Sequence, residues 1–193
     1  MPTARDELLA RVMDHVAAHG LSDQSLRELA AAAGTSHRML LYHFGSREGL
    51  VAAVVSSMEE RQRQALEDLA HEAVSPRALI EAQWAQLTDP ATRPFVLLFF
   101  EVLALALHGR PGTDGFLEQL TDPWLDLAER LAADLELRTD RDELRLGVAV
   151  SRGLLLEAAA SGEVDAATRS LQRFLDLWDA GHATESAPEA TSG

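Results

Sequence analysis

The chain has 193 residues and a formal net charge of -14 at neutral pH, long enough for one large or two small domains with a proper buried core. It contains no cysteine, which excludes disulfides, thiolate zinc sites and cysteine nucleophiles and agrees with a reducing cytosol. Every one of its 17 fixed side-chain cations is an arginine; a guanidinium suits bidentate contacts with guanine or phosphate, although a genome rich in G and C explains the same usage and is the preferred reading.

The apolar spacing predicts about nine helices and no strand. The first runs from about Thr3 to Ala18, with Leu8, Leu9, Val12 and Val16 as its buried stripe and His19-Gly20 at its end. Its periodic, charged sequence does not have the pattern of a secretory signal. In SLRELAAAAGTSHRMLLYHFGSREGL, residues 25–50, Ser25 is placed to cap a second helix, with Glu28 completing a capping box. Leu26, Leu29, Ala30 and Ala33 share one face of that helix, and Gly34 ends it. Thr35 or Ser36 caps a third helix whose Leu40 and Phe44 dock on the second, leaving His37, Arg38, Met39 and Tyr42 facing away. Gly45 and Ser46 break the chain again before a fourth helix from about Arg47 to Glu72. Two short helices across a glycine turn form the arrangement that holds a helix out from a small core and into a DNA major groove.

The order A-G-T-S-x-x-x-L-x-Y-H-F-x-S-R-E-x-L over residues 33–50 resembles the signature of TetR-family transcriptional regulators. The resemblance implies an all-helical homodimer: residues 1–46 as a helix-turn-helix DNA-binding domain, 47–181 as an effector-binding and dimerisation domain, and 182–193 as a disordered tail. One position departs from the pattern. The family commonly carries a tyrosine directly after the leucine matched by Leu40, where this chain has Leu41 followed by Tyr42. Either the phosphate-contacting hydroxyl is lost at Leu41 or Tyr42 supplies it.

The charge needs dividing before it is used against DNA binding. Residues 1–50 hold five arginines and six acids, a sum of -1, and the remaining 143 residues hold 12 arginines and 25 acids, a sum of -13. A near-neutral head with clustered arginines is able to bind phosphate locally, while the acidic remainder discourages indiscriminate binding.

Beyond the fourth helix, Pro76 opens a fifth that runs to about Leu87, and Asp89-Pro90 separates it from a sixth over about Thr92 to Leu107. Its apolar stretch from Pro94 to Leu107 contains Glu101 and is shorter than the ~20 residues of a membrane span, so no membrane is expected and the location is expected to be cytoplasmic. HGRPGTDG, residues 108–115, reads as a loop. A seventh helical region covers Phe116 to Leu135, with a break expected at Asp122-Pro123. The eighth runs from Asp140 to about Ala160 before Gly162, and the ninth from Asp165 to about Ala180. The eighth is apolar on more than one face, through Leu144, Val148, Leu155 and Ala159 on one side and Leu146, Val150 and Leu154 on another. An ordinary monomer core accounts for that equally well, whereas the family resemblance implies that the last two long helices pair with a second copy.

The expected partners are a double-stranded DNA operator and a small-molecule effector of unknown identity. Arg38 is the leading candidate for base readout, through two bonds to guanine O6 and N7, with His37 and Met39 beside it. Arg27, Thr35, Ser36, Tyr42, His43 and Arg47 complete the expected DNA-binding set, mostly as phosphate contacts or helix caps. An effector site is expected among Trp84, Phe95, Phe99, Phe100, Glu101, His108 and Trp124, which combine apolar bulk with a few polar groups, although residue by residue such side chains are more often plain core. His15 and His19 have a metal-sharing spacing, but no third ligand or adjacent glutamate accompanies them. Glu101 and His108 share a helix face without a nucleophile or cofactor loop. Neither metal, cofactor nor enzymatic activity is therefore expected. The alternative to a repressor is a helical small-molecule-binding or protein-interaction module without operator recognition.

Overall fold

The computed structural model describes residues 3–19, 24–71, 73–111 and 113–185. Among them are nine helices and no strand: α1 (Ala4–His19), α2 (Leu26–Ala32), α3 (His37–Phe44), α4 (Arg47–Ala70), α5 (Pro76–Thr88), α6 (Arg93–Leu107), α7 (Asp122–Asp134), α8 (Arg141–Ser161) and α9 (Val164–Glu185). Local capping chemistry bounds several of these helices. Ser75 accepts from the Ala78 amide ahead of Pro76. Asp140 and Glu143 form a reciprocal capping box at the start of α8, and Gly162 ends that helix in the left-handed conformation at φ 80°.

Two stretches differ from the spacing-based expectation. Residues 116–121 are not helical; they form successive tight turns, with the amides of Phe116, Gln119 and Leu120 bonding carbonyls three residues back. Burial of Phe116 in the core beside Phe99 anchors this segment. Pro123 has no amide hydrogen and fits the first turn of a helix, where none is needed, so the helix begins there rather than at Phe116. At the other end, α9 continues through residues 182–185, which the sequence assigns to the tail. His182 stacks on Trp178 with ring centroids 5.4 Å apart and bonds the Trp178 carbonyl through Nδ1 at 2.9 Å, carrying the helix past Gly181. Residues 186–193, the rest of the expected tail, lie outside the described residues.

The chain forms two compact units, Met1–Ala65 with Pro94–Asp122, and Leu66–Arg93 with Pro123–Gly193. The first contains α1 to α3, most of α4, and α6 around one apolar core. That core joins Leu8, Val12 and Val16 of α1, Leu29 of α2, Leu40 and Phe44 of α3, Leu50, Val51, Val54 and Val55 of α4, and Leu98, Phe99 and Val102 of α6. The second unit has two apolar clusters. One gathers Trp84, Ala158, Ala167, Leu171 and Leu175; the other gathers Leu66, Leu79 and Leu127, with Trp124 against them. Trp84 donates its indole N–H to Thr168 Oγ1 at 2.8 Å, so its one polar atom is satisfied inside the cluster.

Arginines tie the helices of this second unit together. Arg77 of α5 reaches Asp176 and Asp179 of α9 at 2.9 and 3.0 Å, and Arg141 of α8 reaches Asp126 and Glu129 of α7 at 3.0 and 2.7 Å. The outward sides of α8 and α9 keep Leu146, Leu156 and Leu177 about half exposed, at 54, 49 and 59%. Ala149, Gly153 and Ala160 are exposed along α8 as well.

Candidate DNA-binding surface

Three caps fix the helix-turn-helix. Ser25 Oγ accepts from the Glu28 amide at 3.3 Å, while the Glu28 carboxylate accepts from the Ser25 amide at 2.7 Å. Those contacts, the backbone one foremost, hold the Glu28 carboxyl below its ordinary pKa. Gly34 takes φ 63°, left-handed backbone that a side chain rarely adopts, and the chain turns there. Arg11 of α1 reaches across and donates from Nε to the Ala33 carbonyl at 2.8 Å, giving a partner to one of the last carbonyls of α2. Ser36, rather than Thr35, caps α3 by accepting from the Met39 amide at 3.2 Å. Gly45 then reverses the chain at φ 74°. Ser46 caps α4 by accepting from the Gly49 amide at 3.0 Å, and its hydroxyl hydrogen points to the Pro111 carbonyl of the loop after α6.

The outcome is a short helix buried on one side and open on the other. Leu40 and Phe44 are buried at 0 and 7% exposure, whereas Tyr42 is 78% exposed and Met39 41%. At about 100° per residue, Arg38, Met39 and Tyr42 stand roughly 120–180° around the helix from the Leu40–Phe44 seam. Arg38 and Tyr42, four residues apart, share the outermost ridge. Leu41 is turned further toward the seam and is 36% exposed. His37 is exposed, and His43 is half-buried with its ring edge-on to Tyr42 at 5.1 Å. Arg27 is exposed on α2, Thr35 and Arg47 are half-buried, and Ser36 is exposed. Among the described residues, Arg27, Arg38 and Arg47 form no ion pair.

The structure also locates two head arginines that spacing alone does not single out. One is Arg11 on the Ala33 carbonyl. The other is Arg5 of α1, whose guanidinium carbon lies over the Phe44 ring, 5.0 Å from its centroid. Neither contact has a local sequence signal, because each joins α1 to a helix far along the chain.

The residues expected around an effector do not gather in one cluster. Phe95, Phe99 and Phe100 pack together in the core of the first unit, with Phe99 and Phe100 edge-to-face at 5.1 Å. Trp84 and Trp124 belong to the two separate clusters of the second unit. Glu101 and His108 are exposed. His15 and His19 stack with centroids 4.4 Å apart, His15 facing Gln24 and His19 the His15 carbonyl. Among the described residues no group of three or more His, Cys, Asp or Glu could hold a metal ion. No single helix there is long and apolar enough to cross a membrane.

A glycine-turned helix pair that exposes arginine, methionine and tyrosine on its second member defines a helix-turn-helix protein of the DNA-binding class. Residues 13–54 match the family model described as bacterial regulatory proteins, tetR family. Along most of its length the chain is similar to the HTH-type transcriptional regulator BetI of Pseudomonas fluorescens, 28% identical over 91% of this chain and 93% of that one. Its fold is similar to that of a putative transcriptional regulator from Rhodococcus sp. RHA1, with TM-score 0.68, 23% identity and coverage of 90% of this chain and 96% of that one. It is also similar to the multidrug binding protein EbrR complexed with imidazole, with TM-score 0.60, 24% identity and coverage of 90% and 95%. Over residues 13–54 the chain thus carries the helix-turn-helix head described by the tetR family model, and along most of its length it is similar to an HTH-type transcriptional regulator.

Proposed function

We propose that the protein is a cytoplasmic repressor that holds a palindromic operator as a homodimer and leaves it when a small-molecule effector binds. The observation that carries this reading is the outward ridge of α3, where Arg38 is exposed with no ion pair among the described residues and Tyr42 is exposed beside it, on a helix fixed by caps at both of its flanking turns. Residues 1–46 form the DNA-binding domain, and the helical chain from 47 to the end of α9 at Glu185 forms the effector and dimerisation body. Arg38 reads a guanine, and His37 and Met39 face neighbouring bases. Arg27, Thr35, Ser36, Tyr42, His43 and Arg47 meet the phosphates on either side. Tyr42, on the outer ridge, supplies the hydroxyl that Leu41 lacks.

The half-exposed Leu146, Leu156 and Leu177, with Ala149, Gly153 and Ala160 letting a second helix come close, support pairing of α8 and α9 with their copies. A dimer sets two recognition helices about 34 Å apart, one turn of DNA. Of the residues expected around an effector, Phe95, Phe99 and Phe100 pack together in the first unit and are the ones on which the site draws, and the multidrug binding described for EbrR supports a small organic ligand. Coupling is supported by the shared core of α6 with α1 to α4 and by the Ser46–Pro111 contact at 3.4 Å, since movement at α6 is felt at the turn before α4. The ligand acts by its differential affinity for the two states. No catalytic step is part of this function.

The test uses the full-length protein and a duplex that it selects from a random pool. A two-fold-symmetric selected site, bound by two copies in sedimentation and anisotropy measurements, is the expected result. Failure to enrich any sequence at low salt would refute operator recognition and leave a helical ligand-binding module.

A further inference from the structure

The last residue of α3 carries a cation from α1 on its ring. α3 has eight residues, about 12 Å at 1.5 Å per residue, and the major groove is about 12 Å wide. When the first residues of α3 reach base edges, its last turn is therefore within about one groove width of the phosphates that line the groove. That turn ends in backbone carbonyls carrying partial negative charge, which repel a phosphate unless a cation stands there. Arg5 brings a cation to this helix: its guanidinium lies over the ring of Phe44, the last residue of α3, 5.0 Å from the centroid.

The side chain is also free to take an anion. An arginine stacked on a ring uses its face and keeps its in-plane N–H donors for a second partner. The adjacent acid, Asp6, feels the Arg5 charge but directs its carboxylate to the start of its own helix, its Oδ2 accepting from the Thr3 amide at 2.9 Å and the Thr3 hydroxyl at 2.8 Å. Among the described residues no carboxylate forms an ion pair with Arg5. Phe44 is itself 7% exposed and belongs to the core of the unit, so the seat is rigid.

We propose that Arg5 is a backbone-phosphate contact, seated on Phe44, that anchors the C-terminal end of the recognition helix to the groove wall. This rests on the regulator reading and adds to it a fixed cation from α1. The contact is to the sugar-phosphate chain, so it carries no sequence preference of its own.

The test is a salt titration of binding by the full-length protein, on its selected duplex and on a scrambled one, for the wild type, Arg5→Ala and Arg5→Lys. Loss of one phosphate contact per half-site flattens the slope of log K against log salt by about 0.9 per protomer and about 1.8 per dimer. Arg5→Ala is expected to weaken binding to both duplexes and to flatten the slope by that amount, while Arg5→Lys keeps the slope. If Arg5→Ala does not fold, Arg5→Gln, which keeps most of the length without the charge, reads the same slope. A wild type that binds specifically beside an Arg5→Ala protein of unchanged slope and lowered melting temperature makes the Phe44 contact purely structural and overturns the proposal. A wild type that binds no sequence specifically overturns the regulator reading, and the Arg5 contact with it.

Discussion

Replacing Arg38 by alanine separates base reading from every other role of α3. Arg38 is exposed, lies on the ridge opposite the buried Leu40 and Phe44, and forms no ion pair among the described residues, so its removal should change folding stability by no more than about 0.5 kcal/mol. A bidentate arginine–guanine pair contributes about 1–3 kcal/mol of discrimination against a wrong base. A dimer makes two such pairs, so the preference for the symmetric site over one altered at that position in both half-sites should be about 2–6 kcal/mol, a factor of about 30 to over 10,000. Anisotropy titrations against a duplex set with each base of the half-site varied in turn would measure it. In Arg38→Ala one position per half-site should become indifferent, all others should keep their preference, and the salt slope should not change. Undiminished preference at every position would refute base reading by Arg38. A flattened slope with no position relaxed would reassign it to phosphate.

Arg47→Ala should do the opposite, weakening binding to cognate and scrambled duplexes alike and flattening the salt slope by about 0.9 per protomer; an unchanged slope removes Arg47 from the phosphate contacts. Leu40→Ala empties a position with 0% exposure at the join of α3 to the core and should destabilise the protein by about 2–5 kcal/mol in denaturant melts; a loss under 1 kcal/mol would mean that α3 is held mainly by its caps. The Glu28 carboxyl, held below its ordinary value of 4.5 by the Ser25 amide, should titrate with a midpoint under that value in carboxyl NMR. Because its pKa is lowered on folding, its contribution is complete above the unfolded value and fades as pH falls through the folded one. Glu28→Gln, still able to accept from the Ser25 amide, should remove that acid-side dependence without breaking the cap.

Legibility in the sequence follows the range of the interaction. The Ser25–Glu28 box, the starts of α4 at Ser46 and α8 at Asp140 and the breaks at Gly34, Gly45 and Gly162 each depend on residues within a few positions, and spacing places them, while it leaves the cap of α3 open between Thr35 and Ser36. The apolar seam of α3 is legible for the same reason, since Leu40 and Phe44 are one turn apart. Phe116 is a different case: its helical spacing is overridden by burial beside Phe99, a contact across 17 positions. The extension of α9 past Gly181 depends on aromatic stacking that composition hides. Arg5 on Phe44 and Arg11 on the Ala33 carbonyl join positions 39 and 22 residues apart, so no window of sequence contains either. The aromatics considered for an effector show the converse: Trp84 is anchored by Thr168, 84 positions away, and periodicity cannot tell such a satisfied core residue from a pocket wall.

The net charge of -14 resolves along the same lines, and it makes a distinguishing prediction. In the second unit Arg77, Arg130 and Arg141 are all held by carboxylates, whereas Arg5, Arg27, Arg38 and Arg47 form no ion pair among the described residues. A total charge counts every residue equally, but a phosphate at about 0.15 M salt responds mainly to charges within about 8 Å. At that distance the head arginines dominate. At about 0.01 M the screening length grows to about 30 Å, and the excess acids beyond residue 50, a sum of -13, come into range. Counterion release alone gives a straight line of log K against log salt. Repulsion by the acidic remainder should bend that line downward as salt falls toward 0.01 M, so that affinity gains less from dilution than the slope above 0.1 M projects. A line that stays straight to 0.01 M would show that the acids beyond the head do not act on bound DNA, and the acidity would then have no part in suppressing non-specific binding.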